Sequence, residues 1–353
     1  MKNILIAFGT RPEFIKVYPL IVGLSDTFNI TTLNTGQHTD LLDDLLDLYK
    51  IKPNITLDVL SKGQSLNDLI SKILQQSDIT KYDAVIVQGD TATAMTIALA
   101  AFNNKVKVIH IEAGLRSNNL QNPFPEEAYR RIISQISNIN FCPTKKDYDN
   151  LLSNNILTNH NYIVGNTVVD MLRLTAFNFN DIDIFKKFNI KRPYVFISCH
   201  RRENHEKITE VCDLVIKLKE KYDIIFSVHK NPNIHNIIHS SLDNIDGINL
   251  IDGISYPYMV NILKNCEFII TDSGGVQEEA PSFGKYVYVM REFTERMESI
   301  DKGYSELLPT SCEIIYNRIC ENKNHNIRMV NPYGDGYTTE TIKNILVNIY
   351  KVL

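Results

Sequence analysis

Three carboxylates stand where apolar runs end or a turn begins. Asp90 follows Ala84–Val87, Glu112 follows Val106–Ile111, and Glu126 lies in Asn122-Pro123-Phe124-Pro125-Glu126-Glu127. Acids gathered at one place could carry protons to and from a reacting carbon. Each has a plainer alternative taken singly: Asp90 as a helix N-cap before Thr91, and Glu126 as a first-turn acid after Pro125, paired with Arg130 at i+4.

A second cluster, Ser198-Cys199-His200-Arg201-Arg202-Glu203-Asn204, also ends an apolar run. A histidine beside two arginines resists protonation unless an anion binds, which suits contact with a phosphate leaving group. A solvated charge run is the alternative. Val228-His229-Lys230-Asn231-Pro232 offers a further histidine at such an end.

Two segments could hold an anion. Gly9-Thr10-Arg11-Pro12-Glu13-Phe14-Ile15-Lys16 turns from strand to helix with Arg11 and Lys16 near the helix start, where cations suit a phosphate or uracil-side contact. It reads equally as a tight turn with two solvated cations. The G-x-G-x-x-G fingerprint of dinucleotide sites is missing. Thr271-Asp272-Ser273-Gly274-Gly275-Val276-Gln277-Glu278-Glu279 follows an apolar strand. Ser273, Gly274 and Gly275 leave amides unobstructed at a helix N-terminus that favours a diphosphate, and Glu279, about a turn in, could accept from ribose hydroxyls. The alternative is a serine cap with a near capping box.

The elements that must position these groups are short apolar runs alternating with helical patterns: Ile4–Phe8, Ala84–Val87, Val106–Ile111, Tyr194–Cys199, Ile224–Val228, Phe268–Thr271 and Tyr286–Met290. That rhythm predicts parallel strands with crossover helices, covered on both faces, with ligands beyond the carboxyl ends of the strands. An Asn/Asp-rich segment, 178–183, separates two such series. The expected domains are 1–170 and 171–338, with a last helix, Thr339–Val352, that could pack back across them. A chain of 353 residues has material for two cores, and 44% hydrophobic with 22% charged residues is ordinary globular composition. A net charge of −4 gives no basic footprint for nucleic acid. The apolar start breaks at Gly9–Pro12, too early for a signal-peptide core or a membrane span, so a cytoplasmic protein is expected. The six cysteines form no C-x-x-C pair and suggest neither a zinc ribbon nor a disulfide framework.

Taken in order, Gly9–Lys16, Gly89-Asp90-Thr91, His110–Arg116, Pro125-Glu126-Glu127, Gly165-Asn166-Thr167, His200–Glu203, Thr271–Glu279 and Asn331–Gly336 resemble the bacterial non-hydrolysing UDP-N-acetylglucosamine 2-epimerases, nearly end to end. The resemblance implies two Rossmann-like domains of the glycosyltransferase-B type with the active site in the cleft between them. It implies a homodimer acting on a UDP-sugar, without metal or redox cofactor and without nucleic-acid or membrane partners. It assigns Arg11, Lys16, Ser273, Gly274, Gly275, Glu279 and Arg296 to UDP, and Asp90, Glu112, Glu126, Arg130 and His200 to the sugar and its chemistry. Family chemistry eliminates UDP to a 2-acetamidoglucal and adds it back from the other face of C2. Related readings are a hydrolysing 2-epimerase and an epimerase of a UDP-diacetamido-uronic acid.

Three positions depart from that pattern. Met297 replaces a proline after Arg296, and Met259 stands where relatives place an aromatic near the uracil. Relatives that bind an activating second substrate use a Gln-His segment and a downstream arginine. Here Gln37-His38 remain but Gly63 occupies the arginine's place, so hyperbolic kinetics are expected.

Overall fold

The computed structural model describes residues 1–37, 40–61, 63–156, 159–229, 231–322, 327 and 330–351, without the side chains of Asp40, Leu41 and Arg202. It divides into two compact units, one of residues 1–174 with 333–353, the other of residues 175–332. The last segment thus belongs with the first unit.

Unit one carries seven strands: β1 (Asn3–Phe8), β2 (Asn29–Asn34), β3 (Ile55–Thr56), β4 (Ala84–Gln88), β5 (Lys107–Ile111), β6 (Ile139–Cys142) and β7 (Asn161–Ile163). They lie in the order β3-β2-β1-β4-β5-β6-β7, all parallel. Ile4 to Phe8 and Ala84 to Val87 are at most 1% exposed because helices cover both faces, which is why these strands read as unbroken apolar runs. Each aliphatic side chain so buried contributes about 1.5–3 kcal/mol. Register decides what the sheet presents: Gln88 pairs with Ile111, so the turns after β4 and β5 leave the sheet side by side. The helix Ala92–Asn103 starts from Thr91, whose hydroxyl accepts from the Ala94 amide, and the helix Arg11–Leu24 starts from Thr10 in the same way.

Unit two carries β8 (Tyr194–Ser198), β9 (Asp223–Ser227), β10 (Ile248–Ile251), β11 (Ile269–Thr271), β12 (Val287–Met290) and β13 (Ser305–Leu308). Their order is β10-β9-β8-β11-β12-β13, again parallel. Both sheets are therefore doubly wound Rossmann-like sheets, with a switch point between β1 and β4 in one and between β8 and β11 in the other.

The helix Thr338–Tyr350 packs on the helix Arg11–Leu24. Its first turn is capped by the buried Asp170 carboxylate, which accepts from the Thr338 amide at 3.1 Å and the Thr339 amide at 2.7 Å. Two donors that a helix start leaves without partners are satisfied there. Cys142, Cys199, Cys212, Cys266 and Cys312 are free and buried, and Cys320 is free and exposed. Among the described residues no helix is long and apolar enough to cross a membrane.

Gly114 shows how tightly the segment after β5 is held. Its φ is +97°, and a Cβ there would lie 2.1 Å from the Asp147 carbonyl oxygen. Gly114→Ala is expected to lower the thermal unfolding midpoint by about 5 °C or more, because both the backbone angle and the contact oppose it. An unchanged midpoint in a calorimetric scan would contradict this packing.

Candidate functional site

In unit one, chemistry gathers at the carboxyl ends of β1, β4 and β5. Glu112, the first residue after β5, sits in the left-handed region with φ +64°, costly for a residue with a Cβ. Its Oε1 receives the Lys16 ammonium at 2.5 Å and the Asn166 amide at 3.4 Å, and its Oε2 receives the Gln88 amide. The Lys16 and Glu112 side chains are 10% and 8% exposed, so this is a nearly dry ion pair. Asp90 lies two residues beyond Gln88, and its Oδ2 accepts from Arg130 Nε at 2.7 Å. Arg130 also reaches Glu127, 3.4 Å away.

Glu126 begins the helix Glu126–Ile136, one turn before Arg130 on the same face. Its Oε2 is buried, with no hydrogen-bond partner among the described residues. In that helix Glu127 forms an i,i+4 ion pair with Arg131 at 3.0 Å. Burial alone would raise the Glu127 carboxyl, yet the Ser117 amide and the arginines around it hold it below the ordinary carboxylate range. The cap of the helix after β4 is Thr91 rather than Asp90. The N-cap alternative for Asp90 is thereby replaced, whereas Glu126 does stand in the first turn of its helix after Pro125. The spacing misled because Asp90 sits one residue outside the cap, with Arg130 to bind instead.

Two buried groups beneath these turns escaped sequence reasoning. His110 on β5 donates Nε2–H to the Gly89 carbonyl at 2.8 Å, since a carbonyl can only accept. Burial lowers its pKa to about 4, so the ring is neutral and braces the β4 turn. Glu13 is 1% exposed and joins two turns: Oε2 accepts from the Gly9 amide and the Thr10 hydroxyl, both at 2.9 Å, and Oε1 from the Thr91 hydroxyl at 2.5 Å. In the sequence it passes for an ordinary first-turn acid.

Lys16, assigned by resemblance to UDP, is paired with Glu112 in unit one, and Arg11 opens the helix Arg11–Leu24 of the same unit. Gln37 accepts from the Thr93 amide and hydroxyl, and Gly63 lies in a turn with φ +74°. His38 and Lys230 lie outside the described residues.

In unit two the organising acid is Asp272, directly after β11 and fully buried. It accepts from the His200 amide at 2.9 and 3.0 Å, the Arg201 amide at 2.9 Å and the Asn204 side-chain amide at 2.9 Å. This fixes the loop after β8 against the turn after β11. His200 is exposed as a residue, yet its pKa is lowered. Desolvation is the largest cause, with Asp272 opposing and His229, ring centroids 5.7 Å apart, adding to it. Its Nε2 lies 3.4 Å from the Ser227 hydroxyl. A neutral ring here can exchange a proton with a phosphate oxygen.

Ser273 caps the short helix Gly274–Glu279 through the Val276 amide at 3.5 Å. Gln277 donates to the Ser273 carbonyl at 3.0 Å, so no capping box forms. Arg296 lies over Gly274, where a Cβ would come within 2.6 Å of Cζ. Its Nε donates to Glu278 at 3.0 Å. Glu279 is 6% exposed, and its Oε1 accepts from the Tyr256 hydroxyl at 2.8 Å. Arg291, after β12, bonds Glu203 and Glu295 at 3.0 and 3.2 Å. Burial lowers the Arg201 pKa, the charges of Arg291 and Arg296 add to that, and Glu295 and Asp272 oppose it. Met297 starts the helix Met297–Asp301, and Met259 packs against the apolar core of the unit.

Comparison with known proteins follows the same geometry. The family described as UDP-N-acetylglucosamine 2-epimerase matches residues 24–347. The UDP-N-acetylglucosamine 2-epimerase of Campylobacter jejuni is 38% identical, over 98% of this chain and 98% of its own. The crystal structure of UDP-GlcNAc 2-epimerase from Neisseria meningitidis, bound to UDP-GlcNAc, superposes with a TM-score of 0.90 at 35% identity, covering 98% of this chain and 100% of that one. Acinetobacter baumannii MurG, 11% identical with a TM-score of 0.58 over 99% of this chain and 100% of its own, shares the fold alone.

The Glu13 pKa is raised from 4.5 to about 7, burial outweighing its hydrogen bonds from Thr91, Gly9 and Thr10. An acid that holds its proton more tightly when folded stabilises fully below its unfolded value, and that stability is lost as pH rises through the folded value. Between pH 4.5 and about 7 the wild type should therefore lose on the order of 3 kcal/mol that Glu13→Gln retains. Chemical denaturation across that range checks it, and parallel curves for the two proteins would overturn it.

Proposed function

Since the chain belongs to the UDP-N-acetylglucosamine 2-epimerase family, we propose that it interconverts UDP-N-acetylglucosamine and UDP-N-acetylmannosamine without hydrolysing them. It is an isomerase of the two-domain, glycosyltransferase-B fold type. The single observation that carries the reading is the Glu112 arrangement. A nearly dry carboxylate in a left-handed backbone, with Lys16 on one oxygen and Gln88 on the other, is costly as packing and apt as a positioned proton carrier.

The C2 proton of the sugar is too weakly acidic for simple removal and return. In the proposed course a base takes that proton, the bond from C1 to the β-phosphate oxygen breaks, and UDP departs with the electron pair to leave 2-acetamidoglucal. UDP then re-forms the C1–O bond while an acid delivers a proton to the other face of C2. Asp90, Glu112 and Glu126 share the proton transfers at C2. His200 and Arg130 stabilise the leaving phosphate and hold the intermediate. Ser273, Gly274, Gly275 and Arg296 take the diphosphate and Glu279 the ribose, supported by Arg296 lying over Gly274 and by the Tyr256 bond that orients Glu279. Arg11 contacts the nucleotide, while Lys16 acts through Glu112. The resemblance further supports a cytoplasmic homodimer supplying surface polysaccharide synthesis.

Replacing Asp90, Glu112 or Glu126 by its amide should cut turnover by roughly 10²-fold or more while leaving UDP affinity near wild type. Glu279→Ala should instead weaken UDP by about 10-fold or more, through loss of a charged acceptor. Turnover by NMR and UDP affinity by calorimetry separate the two effects. Full activity in all three amides would return these acids to structural duty.

A further inference from the structure

One group of side chains in unit two has the chemistry of a ligand set and no part in the proposed reaction. His235 and His239 lie four apart on the helix Pro232–Leu242, so both project from one face. Their rings stack, with centroids 4.2 Å apart and an interplanar angle of 23°. Both aim Nε2 at the same atom, Oδ1 of Asp252, at 2.9 and 3.1 Å. Asp252 is the first residue after β10. The sequence hides the trio, because Asp252 lies 13 positions after His239 in the chain and only the fold returns the strand end to the helix.

Two neutral imidazoles donating to one carboxylate oxygen would account for the distances. They would also crowd two N–H groups onto one atom and stack two rings at a surface, where water could serve each separately. The donor atoms lie within 4.8 Å of one another. A tetrahedral ion held at about 2.0–2.2 Å from each donor sets its ligands roughly 3.3 Å apart, so the nitrogen–oxygen separations need widen by only a few tenths of an ångström. Side-chain exposures of 35%, 27% and 59% leave the outer coordination positions open to water. Two imidazole nitrogens with one carboxylate suit a first-row transition cation rather than magnesium or calcium, which prefer oxygen alone.

We propose that His235, His239 and Asp252 bind one divalent transition-metal ion, of the zinc class, as a clip between the helix Pro232–Leu242 and the end of β10. The ion ties two elements joined by a short connection and stabilises the folded unit by mass action. It takes no part in the proton transfers assigned to Asp90, Glu112 and Glu126.

The test uses the full-length protein without a histidine tag, stripped by chelator and equilibrated with Zn(II). Bound metal is quantified per chain for wild type, His235→Ala/His239→Ala and Asp252→Asn. Wild type is expected to hold one zinc ion per chain and each variant to bind it at least about 10-fold more weakly. Saturating zinc should raise the unfolding midpoint of the wild type by about 5 °C or more, and that of neither variant. Asp252→Asn keeps the side-chain shape, so it stays informative if the double alanine variant is unstable. Because Cys320 is an exposed thiol, the series is repeated with Cys320→Ser. No bound zinc in the wild type, zinc retained equally by the variants, or zinc lost only with Cys320→Ser would overturn the proposal.

Discussion

The Lys16–Glu112 contact is the constraint on which unit one depends. One carboxylate draws on β1 through the helix that follows it, on β4 through Gln88, and on the segment after β7 through Asn166. Taking two charges out of water costs several kcal/mol for each ion, and removing one partner strands the other at a cost of about 3–5 kcal/mol. The contact therefore makes sense only if the sheet order β1-β4-β5 delivers both residues to one place. Left-handed backbone at Glu112 adds to the cost, so the neighbouring structure has to over-determine it. Gly114, two residues on and lodged against the Asp147 carbonyl, and His110, two residues back and bonded to Gly89, do so from either side.

Unit two repeats the plan with other residues. Its order β10-β9-β8-β11-β12-β13 matches β3-β2-β1-β4-β5-β6 strand for strand. Arg291, the first residue after β12, stands where Glu112 stands after β5, and Asp272, the first after β11, stands where Gly89 stands after β4, one position before Asp90. In both units a buried acid links the turn after the first strand to the turn after its switch-point neighbour: Glu13 joins Gly9 and Thr10 to Thr91, and Asp272 holds the amides of His200 and Arg201. The chemistry then diverges by charge. Unit one gathers Glu112, Asp90 and Glu127 with Lys16 and Arg130, and unit two sets Arg296 over Gly274 and Arg291 against Glu203 and Glu295.

Much of this was legible in the sequence. Strands buried on both faces gave unbroken apolar runs, so β1, β4, β5, β8, β9, β11 and β12 were placed to within a residue or two. The strands that went unread, among them β2 (NITTLN), β3 with two residues and β7 (NYI), lie toward sheet edges or carry polar residues, where period and apolarity both fail. Asp90, Glu112 and His200 stood out because polar residues after an apolar run fall at the carboxyl edge, and Glu126 because it opens a helix after a proline turn. Glu13 and Asp272 did not, because their roles are set by which strands are neighbours. Chain order does not state that Thr91 lies beside Glu13, or Asp272 beside His200. The same holds for Asp252 and its two histidines.

The account's central claim is that the hydrogen at C2 leaves and a solvent-derived proton returns on the other face. Incubating the wild-type protein with UDP-N-acetylglucosamine in D₂O and following C2 by NMR tests it most directly. The account predicts UDP-N-acetylmannosamine carrying deuterium at C2, formed without added nicotinamide. Product that keeps the substrate's own hydrogen at C2 would contradict it, because carboxylates exchange their protons with water and could not return the one they removed.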